Sequence, residues 1–392
     1  VITMPNYSGV WTLQEQYEAI LAGNWTGIGL PRFFATGKNH VGVYSEENVE
    51  GFRSSPVQVN SDTDWNKIST DRSSVGAATF LIKDDGTLWS QGENDRGQLG
   101  QNDLINRSSP VQIGALTNWS QAKANGRICR AIKTDGTIWT WGEGSNGQMG
   151  DNNAVDRSSP VQIGALTDWV DFVGDNLGSL ALNTSGEIYT WGRGNDGELG
   201  TDSTINQSSP VQVGALTTWA SVGANVSQGR YAVKTDGTLW VWGADANGCL
   251  GLNTNGLKRS SPVQVGALTD WVTGSGGTSF AVCLKTDNTL WSWGGGPRHG
   301  LNSTNDVSSP TQIGSLTDWT NKFVCGHNIT LAVTTNGELY GWGNGNEQGS
   351  LGTGDAVSVS SPVQIGSETY WSDAEIGAGG ASVGVFLIKR TT

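Results

Sequence analysis

Ser-Ser-Pro occurs seven times in this chain, ending at Pro56, Pro110, Pro160, Pro210, Pro262, Pro310 and Pro362, so successive copies stand 54, 50, 50, 52, 48 and 52 residues apart. A period near 50 residues belongs to solenoids and propellers, in which each unit buries a face against its neighbour. It also sets a rule for every other residue: whatever returns on the beat serves the architecture first. A length of 392 residues would ordinarily divide into two or three domains. The repeat instead predicts one closed array over residues 30–392, preceded by an extension over residues 1–29.

The third copy shows the pattern within a unit. Asp168-Trp169-Val170-Asp171-Phe172-Val173 alternates polar and apolar residues as a half-buried strand does, and is named strand a. After a glycine-containing corner come Leu180-Ala181-Leu182-Asn183, a turn at Thr184-Ser185-Gly186, and Glu187-Ile188-Tyr189-Thr190-Trp191-Gly192, which read as strands b and c of a hairpin. Other copies carry Thr-Asp-Gly-Thr in that turn, where Asp-Gly supplies the backbone angles a tight hairpin needs. Ser208-Ser209-Pro210-Val211-Gln212-Val213 follows as strand d. Proline has no donor for a central ladder, so strand d belongs on an outer edge. Four antiparallel strands per copy make a propeller blade.

Strand c with its terminal glycine recurs six times, at Gly92, Gly142, Gly192, Gly243, Gly294 and Gly343, as Trp-Gly in all but the first, where Gln91 precedes the glycine, whereas strand b recurs seven times, ending with Phe386-Leu387-Ile388-Lys389. The missing strand c is matched at the other end by Phe33-Phe34-Ala35-Thr36-Gly37-Lys38-Asn39. The expectation is therefore an all-β, seven-bladed propeller of four-stranded antiparallel blades, its ring closed by an N-terminal strand that completes the last blade. Arg130-Ala131-Ile132-Lys133-Thr134-Asp135-Gly136-Thr137-Ile138-Trp139-Thr140-Trp141-Gly142, together with the Gly-Gln-Leu-Gly element, resembles the regulator of chromosome condensation family of seven-bladed propellers. The resemblance covers roughly residues 30–392. It implies the fold, but propellers of this family serve as exchange factors, inhibitors and adhesive modules, so it does not by itself assign a function.

Charge narrows the choice. With 23 Lys+Arg against 36 Asp+Glu, the formal net charge is -13, which opposes binding to a phosphate backbone or an anionic membrane. An exchange factor of this family would need a protruding wedge and a basic arm, and the sequence offers neither. Four cysteines at 129, 249, 283 and 325 match no zinc spacing and no dense disulfide framework. No apolar run approaches the roughly 20 residues that span a bilayer, and the first 25 residues lack the pattern of a signal peptide.

The extension has its own character. Thr12-x-x-Glu15 forms a capping box, Leu13, Tyr17, Ile20 and Leu21 share one helical face, and Gly23 suits a stop. A helix this short needs a partner surface: either it packs on the propeller rim or, with Trp11, it docks into a larger assembly. The stretch from Tyr7 to Ile20 resembles a short module of structural proteins of tailed, especially marine, bacteriophages.

Chemistry is sparse. Of 18 tryptophans, seven (65, 119, 169, 219, 271, 319, 371) sit at one strand a position and nine (89, 139, 141, 191, 240, 242, 291, 293, 342) in strand c, so all but Trp11 and Trp25 are on the beat and are read as packing. The three histidines form no catalytic set, and Cys325-x-His327 is the nearest approach to a reactive pair. Loops such as Asp245-Ala246-Asn247-Gly248 and Asn195-Asp196-Gly197-Glu198 have oxygens at spacings like those of calcium loops, but lack the distal bidentate Glu. No metal, cofactor or catalytic residue is predicted.

The copies differ from one another mainly at the corner between strands a and b. Arg-Ser-Ser-Pro-Val-Gln-Ile-Gly-Ala-Leu-Thr is identical at 107–117 and 157–167, while the corners change from blade to blade. By strand order all corners lie on one face, and loops commonly carry binding; neutral drift of solvent loops is the plain alternative. The candidate binding residues are Arg72, Arg127, Arg130, Asp175, Asn176, Gln228, Arg230, His327 and Asn328, with the four arginines expected to form a positive cluster for an acidic glycan or carboxylate-rich protein patch. The expected function is a non-enzymatic phage virion protein, tail-associated or fibre-type, that presents this face to a host surface or to other virion subunits and is compatible with homo-oligomers. The alternative is a bacterial secreted or surface propeller that binds or inhibits a protein partner.

Overall fold

The computed structural model describes residues 32–38, 52–58, 62, 64–70, 78–225, 229–344, 349–367, 369, 371, 375–378 and 383–388, with backbone alone at 32–38, 52–58, 375–378 and 383–388. Every sheet has four antiparallel strands. Blades 1 to 6 take residues 65–112, 119–162, 169–212, 219–264, 271–312 and 319–364, each in the order a-b-c-d. Blade 2 sets the pattern with Trp119–Asn125, Ile128–Lys133, Ile138–Gly142 and Arg157–Gln162.

The expectation of seven like blades is corrected to six. A blade, as an uninterrupted repeat with its own strand c and described core, occurs six times. The four remaining strands come from both ends of the chain and form a composite sheet in the order Phe52–Gln58, Arg32–Lys38, Val383–Ile388, Glu375–Ala378. Counting Ser-Ser-Pro gave seven because the motif marks an outer strand, not a continuous blade, and Pro56 lies in the composite sheet. Among the described residues there is no α-helix; the helical element is a 3-10 turn at Ala246–Gly248. The predicted N-terminal helix, with Trp11, Leu13, Tyr17, Ile20 and Leu21, lies outside the described residues.

Strand b is a central strand whose two faces both meet neighbouring blades, so all six residues of Ile128–Lys133 are buried. Strand d, at the edge, stays half exposed. Turn geometry explains the glycine of Thr-Asp-Gly-Thr. Gly136 has φ +76°, and a Cβ there would stand 2.1 Å from the Thr167 carbonyl oxygen of the loop entering the next blade.

The hairpin is built in two ways. In blade 2, Asp135 Oδ1 accepts from Thr137 N (3.0 Å) and Thr137 Oγ1 (2.6 Å), and Thr137 Oγ1 accepts from Trp139 Nε1 (2.9 Å). Lys133 Nζ lies 3.5 Å from the Trp139 ring centroid and 4.9 Å from that of Trp119. In blade 3, Asn183, Glu187 and Tyr189 replace lysine, threonine and tryptophan together: Asn183 Nδ2 donates to Glu187 Oε2 (2.8 Å), as does the Tyr189 hydroxyl (3.2 Å). Blade 6 follows the second plan with Thr334, Glu338 and Tyr340.

Blades are joined on the beat by tryptophan. Trp141, Trp191, Trp242 and Trp293 donate Nε1 to the carbonyls of Gln98 (2.8 Å), Gln148 (3.0 Å), Glu198 (3.1 Å) and Cys249 (2.8 Å) in the preceding blade. Each indole is fully buried and lies over a glycine; a Cβ on Gly150 would stand 2.7 Å from Trp191 Nε1.

Candidate binding face

The antiparallel order puts the a–b corners and the c–d loops on one face of the ring. Backbone bonds tie them together: Glu143 N donates to Arg127 O (2.8 Å), Arg193 N to Leu177 O (2.8 Å), Gly295 N to Ser279 O (2.7 Å) and Asn344 N to Asn328 O (3.0 Å). The corners therefore rest on a hydrogen-bonded shelf.

Of the four arginines expected to form a positive cluster, Arg130 and Arg230 do not reach this face. Arg130 and Arg230 are 0% exposed and Asp175 is 3% exposed. Arg130, on strand b of blade 2, reaches into the blade 3 corner, where Nε donates to Ser179 Oγ (2.6 Å) and Nη2 to the carbonyls of Asp175 (3.1 Å) and Gly178 (3.0 Å). Arg230, on strand b of blade 4, reaches the same corner from the other side, with Nη1 3.0 Å from Asp175 Oδ2. The other carboxylate oxygen, Asp175 Oδ1, accepts from Leu177 N (2.8 Å) and Gly178 N (2.9 Å). Burial pushes the Arg130 guanidinium down to about 10, with Arg230 adding to the shift and Asp175 opposing it. These three residues are a clamp inside the wall, and they offer no charge to a ligand.

Among the other predicted residues, Arg127 is partly exposed and pairs with Asp95 of blade 1 at 2.8 Å. Asn176 packs over Gly126 of blade 2: a Cβ on that glycine would lie 1.9 Å from Asn176 Oδ1. His327 is partly buried, and its carbonyl accepts from Thr278 N of blade 5 (2.7 Å). Burial first, then the Arg298 charge, pushes its imidazole below the ordinary histidine range. Asn328 stands beside it, partly exposed. Arg72 and Gln228 lie outside the described residues. The face thus keeps Arg127, Asn176, His327 and Asn328 at its surface and sends Arg130, Asp175 and Arg230 below it.

Sequence reasoning missed a second support. Under the blade 4 corner, Asn225 Oδ1 accepts from Gly229 N (2.6 Å), its Nδ2 donates to the Tyr231 hydroxyl (3.1 Å), and that hydroxyl donates to Cys249 O (3.1 Å). Cys249 occupies the position held by Gln98 and Gln148 in blades 1 and 2. That departure from the beat is the signal that could have located the support. All four cysteines are free and buried, and burial pushes the Cys249 thiol up to about 12. Burial of this kind suits a thiol to packing.

The loop oxygens that resembled calcium ligands are used locally. Asp245 Oδ1 accepts from Leu250 N (3.0 Å) and Oδ2 from Thr254 Oγ1 (2.7 Å); Asp196 pairs with Arg193 (2.7 Å) and Lys258. Among the described residues no group of three or more His, Cys, Asp or Glu could hold a metal. The strands a surround a central cavity of about 390 Å³, where Lys123 Nζ contacts Asp171 Oδ1 and Phe172 O at 2.7 Å each and Lys67 Nζ contacts Ser120 O at 2.7 Å. These lysines stitch one blade to the next.

Known structures share this architecture. Human WBSCR16 matches with a TM-score of 0.78 at 21% identity, over 92% of this chain and 100% of its own. A structure of Kap60 bound to yeast RCC1 (Prp20) matches with a TM-score of 0.78 at 18% identity, over 100% of this chain and 95% of the other. Prp20p from Saccharomyces cerevisiae, described with its binding properties to Gsp1p and histones, matches with a TM-score of 0.77 at 19% identity, over 99% and 97%. At these identities the likeness concerns the fold. No curated protein matches the chain. The family model described as the RCC1-like domain matches residues 32–385, and the chain belongs to that family.

Proposed function

We propose that this chain is a non-enzymatic binding module that docks a macromolecular partner on the face formed by its a–b corners. The observation that carries this reading is the buried support beneath individual corners. Drift in solvent loops needs no new interior, yet the blade 3 corner is gripped by Arg130 and Arg230 from two neighbouring blades, and the blade 4 corner rests on Asn225, Tyr231 and Cys249. Corners that differ in sequence and are each held rigidly suit preorganised recognition. The yeast relative's structure with Kap60 supports a protein as the partner class.

The setting we favour is the virion of a tailed bacteriophage, where the module would contact a host surface glycan or protein, or a neighbouring subunit, as the resemblance of residues 7–20 suggests. The second setting is a bacterial secreted or surface propeller. A photo-crosslinking residue placed in turn at Arg127, Asn176 and His327, with Gln162 on the outer edge as control, tests both face and setting. Crosslinks from the three corner sites to virion or host-envelope components support the first setting; crosslinks to a bacterial protein outside a virion support the second. Crosslinking no stronger from the corners than from Gln162 would refute the face.

A further inference from the structure

The opposite face carries the b–c turns and the d–a loops, and it repeats where the corner face varies. Five successive d–a loops present a leucine, Leu116, Leu166, Leu216, Leu268 and Leu316, at 36–46% exposure. Four b–c turns present an exposed aspartate, Asp85, Asp135, Asp236 and Asp287. Packing brings the two together. Gly86, Gly136 and Gly237 sit on the carbonyls of Thr117, Thr167 and Thr269, each the residue after a leucine, and Asn288 O accepts from Trp319 N (3.1 Å) in the loop of Leu316. Four blade junctions therefore display a leucine beside a carboxylate. The lysine behind each turn, Lys83, Lys133, Lys234 or Lys285, lies over a tryptophan ring and feels the aspartate's charge, while the carboxylate stays on the exposed side of the turn.

Beside Leu116 a largely apolar cavity of about 330 Å³ opens at the outer rim between blades 1 and 2, walled by Ile113, Leu116, Trp119, Trp139 and Pro160, with Gln101 and Asn102 of the blade 1 c–d loop at its far side. Its wall is linked to the carboxylate: Trp139 Nε1 donates to Thr137 Oγ1 (2.9 Å), which donates to Asp135 Oδ1 (2.6 Å). Packing within the blade does not require an exposed leucine, whereas a recurring apolar and acidic pair fits a ligand of the opposite pattern.

We infer that this face binds a basic segment of a partner protein that also carries aliphatic side chains, one of them entering the cavity at Leu116 and its flanking Arg or Lys pairing with Asp85 or Asp135. The net charge of -13 favours such a partner and opposes face-to-face pairing of two copies. None of the a–b corner residues Arg127, Asn176 and His327 lines this cavity, so the two sites can fail independently.

The probe is a fluorescent 12-residue peptide alternating Arg with Leu and Gly, compared with a Ser-for-Leu version and a Glu-for-Arg version, titrated against the whole chain. The Arg/Leu peptide should bind with an affinity that falls as salt rises, and the other two should bind at least tenfold more weakly. Asp85→Lys with Asp135→Lys should weaken binding about tenfold or more, and Leu116→Ser with Leu166→Ser about fivefold. Ile205→Ser, 69% exposed on the corner face, should leave binding unchanged. Unfolding midpoints within a degree or two of wild type would establish that the variants fold. Equal binding of the three peptides, loss through Ile205→Ser alone, or concentration-dependent dimerisation that Leu116→Ser abolishes would each overturn the inference.

Discussion

Blade boundaries in this ring are held by two unlike devices. The tryptophan device is periodic: Trp141, Trp191, Trp242 and Trp293 each send one N–H to a carbonyl across the boundary. Among the described residues the arginine device occurs once, where Arg130 and Arg230 converge on Asp175. A repeated neutral hydrogen bond on a large apolar ring gives these four junctions the same grip, at about 1 kcal/mol for each bond and more from the buried ring. A buried charge cluster is poor as glue, because its desolvation offsets its attraction, but it fixes one local geometry and punishes any change in it. The periodic device therefore builds the ring, and the singular one shapes a corner.

Breaking the singular device should give the largest effect. Asp175→Ala leaves Arg230 without its carboxylate and Leu177 and Gly178 without an acceptor, and should destabilise by about 3–5 kcal/mol in denaturant unfolding. A loss below about 1 kcal/mol would show that solvent reaches the clamp. The periodic device offers an internal control. Trp141→Phe removes a hydrogen-bonded N–H, whereas Trp342 Nε1 has no partner, so Trp141→Phe should cost about 1 kcal/mol more than Trp342→Phe.

The two hairpin plans allow a finer test. Lys133→Asn alone should cost about 0.5–1 kcal/mol by losing the contact over Trp139. Adding Thr137→Glu and Trp139→Tyr, which imports the blade 3 plan, should recover most of it, as a triple-variant unfolding series would show. If the triple variant is merely the sum of three losses, the plans are not alternatives. The smallest effect concerns Glu198, which stands where Gln98 and Gln148 stand in blades 1 and 2. All three accept an N–H two residues back, from Asp196, Arg96 and Asn146 (2.7, 2.8 and 2.6 Å). Burial raises the Glu198 carboxyl above its ordinary value of 4.5. A raised folded-state value means that the native protein holds the proton more tightly, so stability declines as pH rises from about 4.5 through the folded value and then levels. Glu198→Gln should therefore raise the melting temperature at pH 7, leave it nearly unchanged at pH 4, and flatten the profile between them.

Much of the scaffold was legible because periodicity reports it directly. Asp-Gly turns, the Pro-bearing edge and the strand a and strand c tryptophans stand where their spacing placed them, and the tryptophans pack as the recurrence implied. The blade count was not, since Ser-Ser-Pro cannot tell a continuous repeat from a composite sheet. Arg127, Arg130 and Arg230 looked equivalent in the sequence because charge alone was used to group them. Their positions in the blade tell them apart. Arg127 lies in the corner, whereas Arg130 follows Ile128 and Cys129 and precedes Ala131 and Ile132 in a strand buried on both faces, where any side chain must enter a neighbour. The direction in which Arg130 and Arg230 reach, both toward blade 3, depends on the packing of three blades, and no pattern within one repeat encodes it. The Leu and Asp ring was visible as repetition. Repetition alone does not tell an outward residue from an inward one, so the beat did not mark it as a surface.

The composite sheet has a consequence in time. Blades 1 to 6 can each pair their strands as soon as about fifty residues have left the ribosome, since every partner is near in sequence. The strand Arg32–Lys38 is different: Phe34 is matched with Phe386 and Arg32 with Ile388, so one of the first strands made waits for one of the last. Phe52–Gln58 can cover one of its edges early, but until Val383–Ile388 arrives the other edge is open to any passing strand. During synthesis that uncovered edge is the seam at which the composite sheet is finally completed.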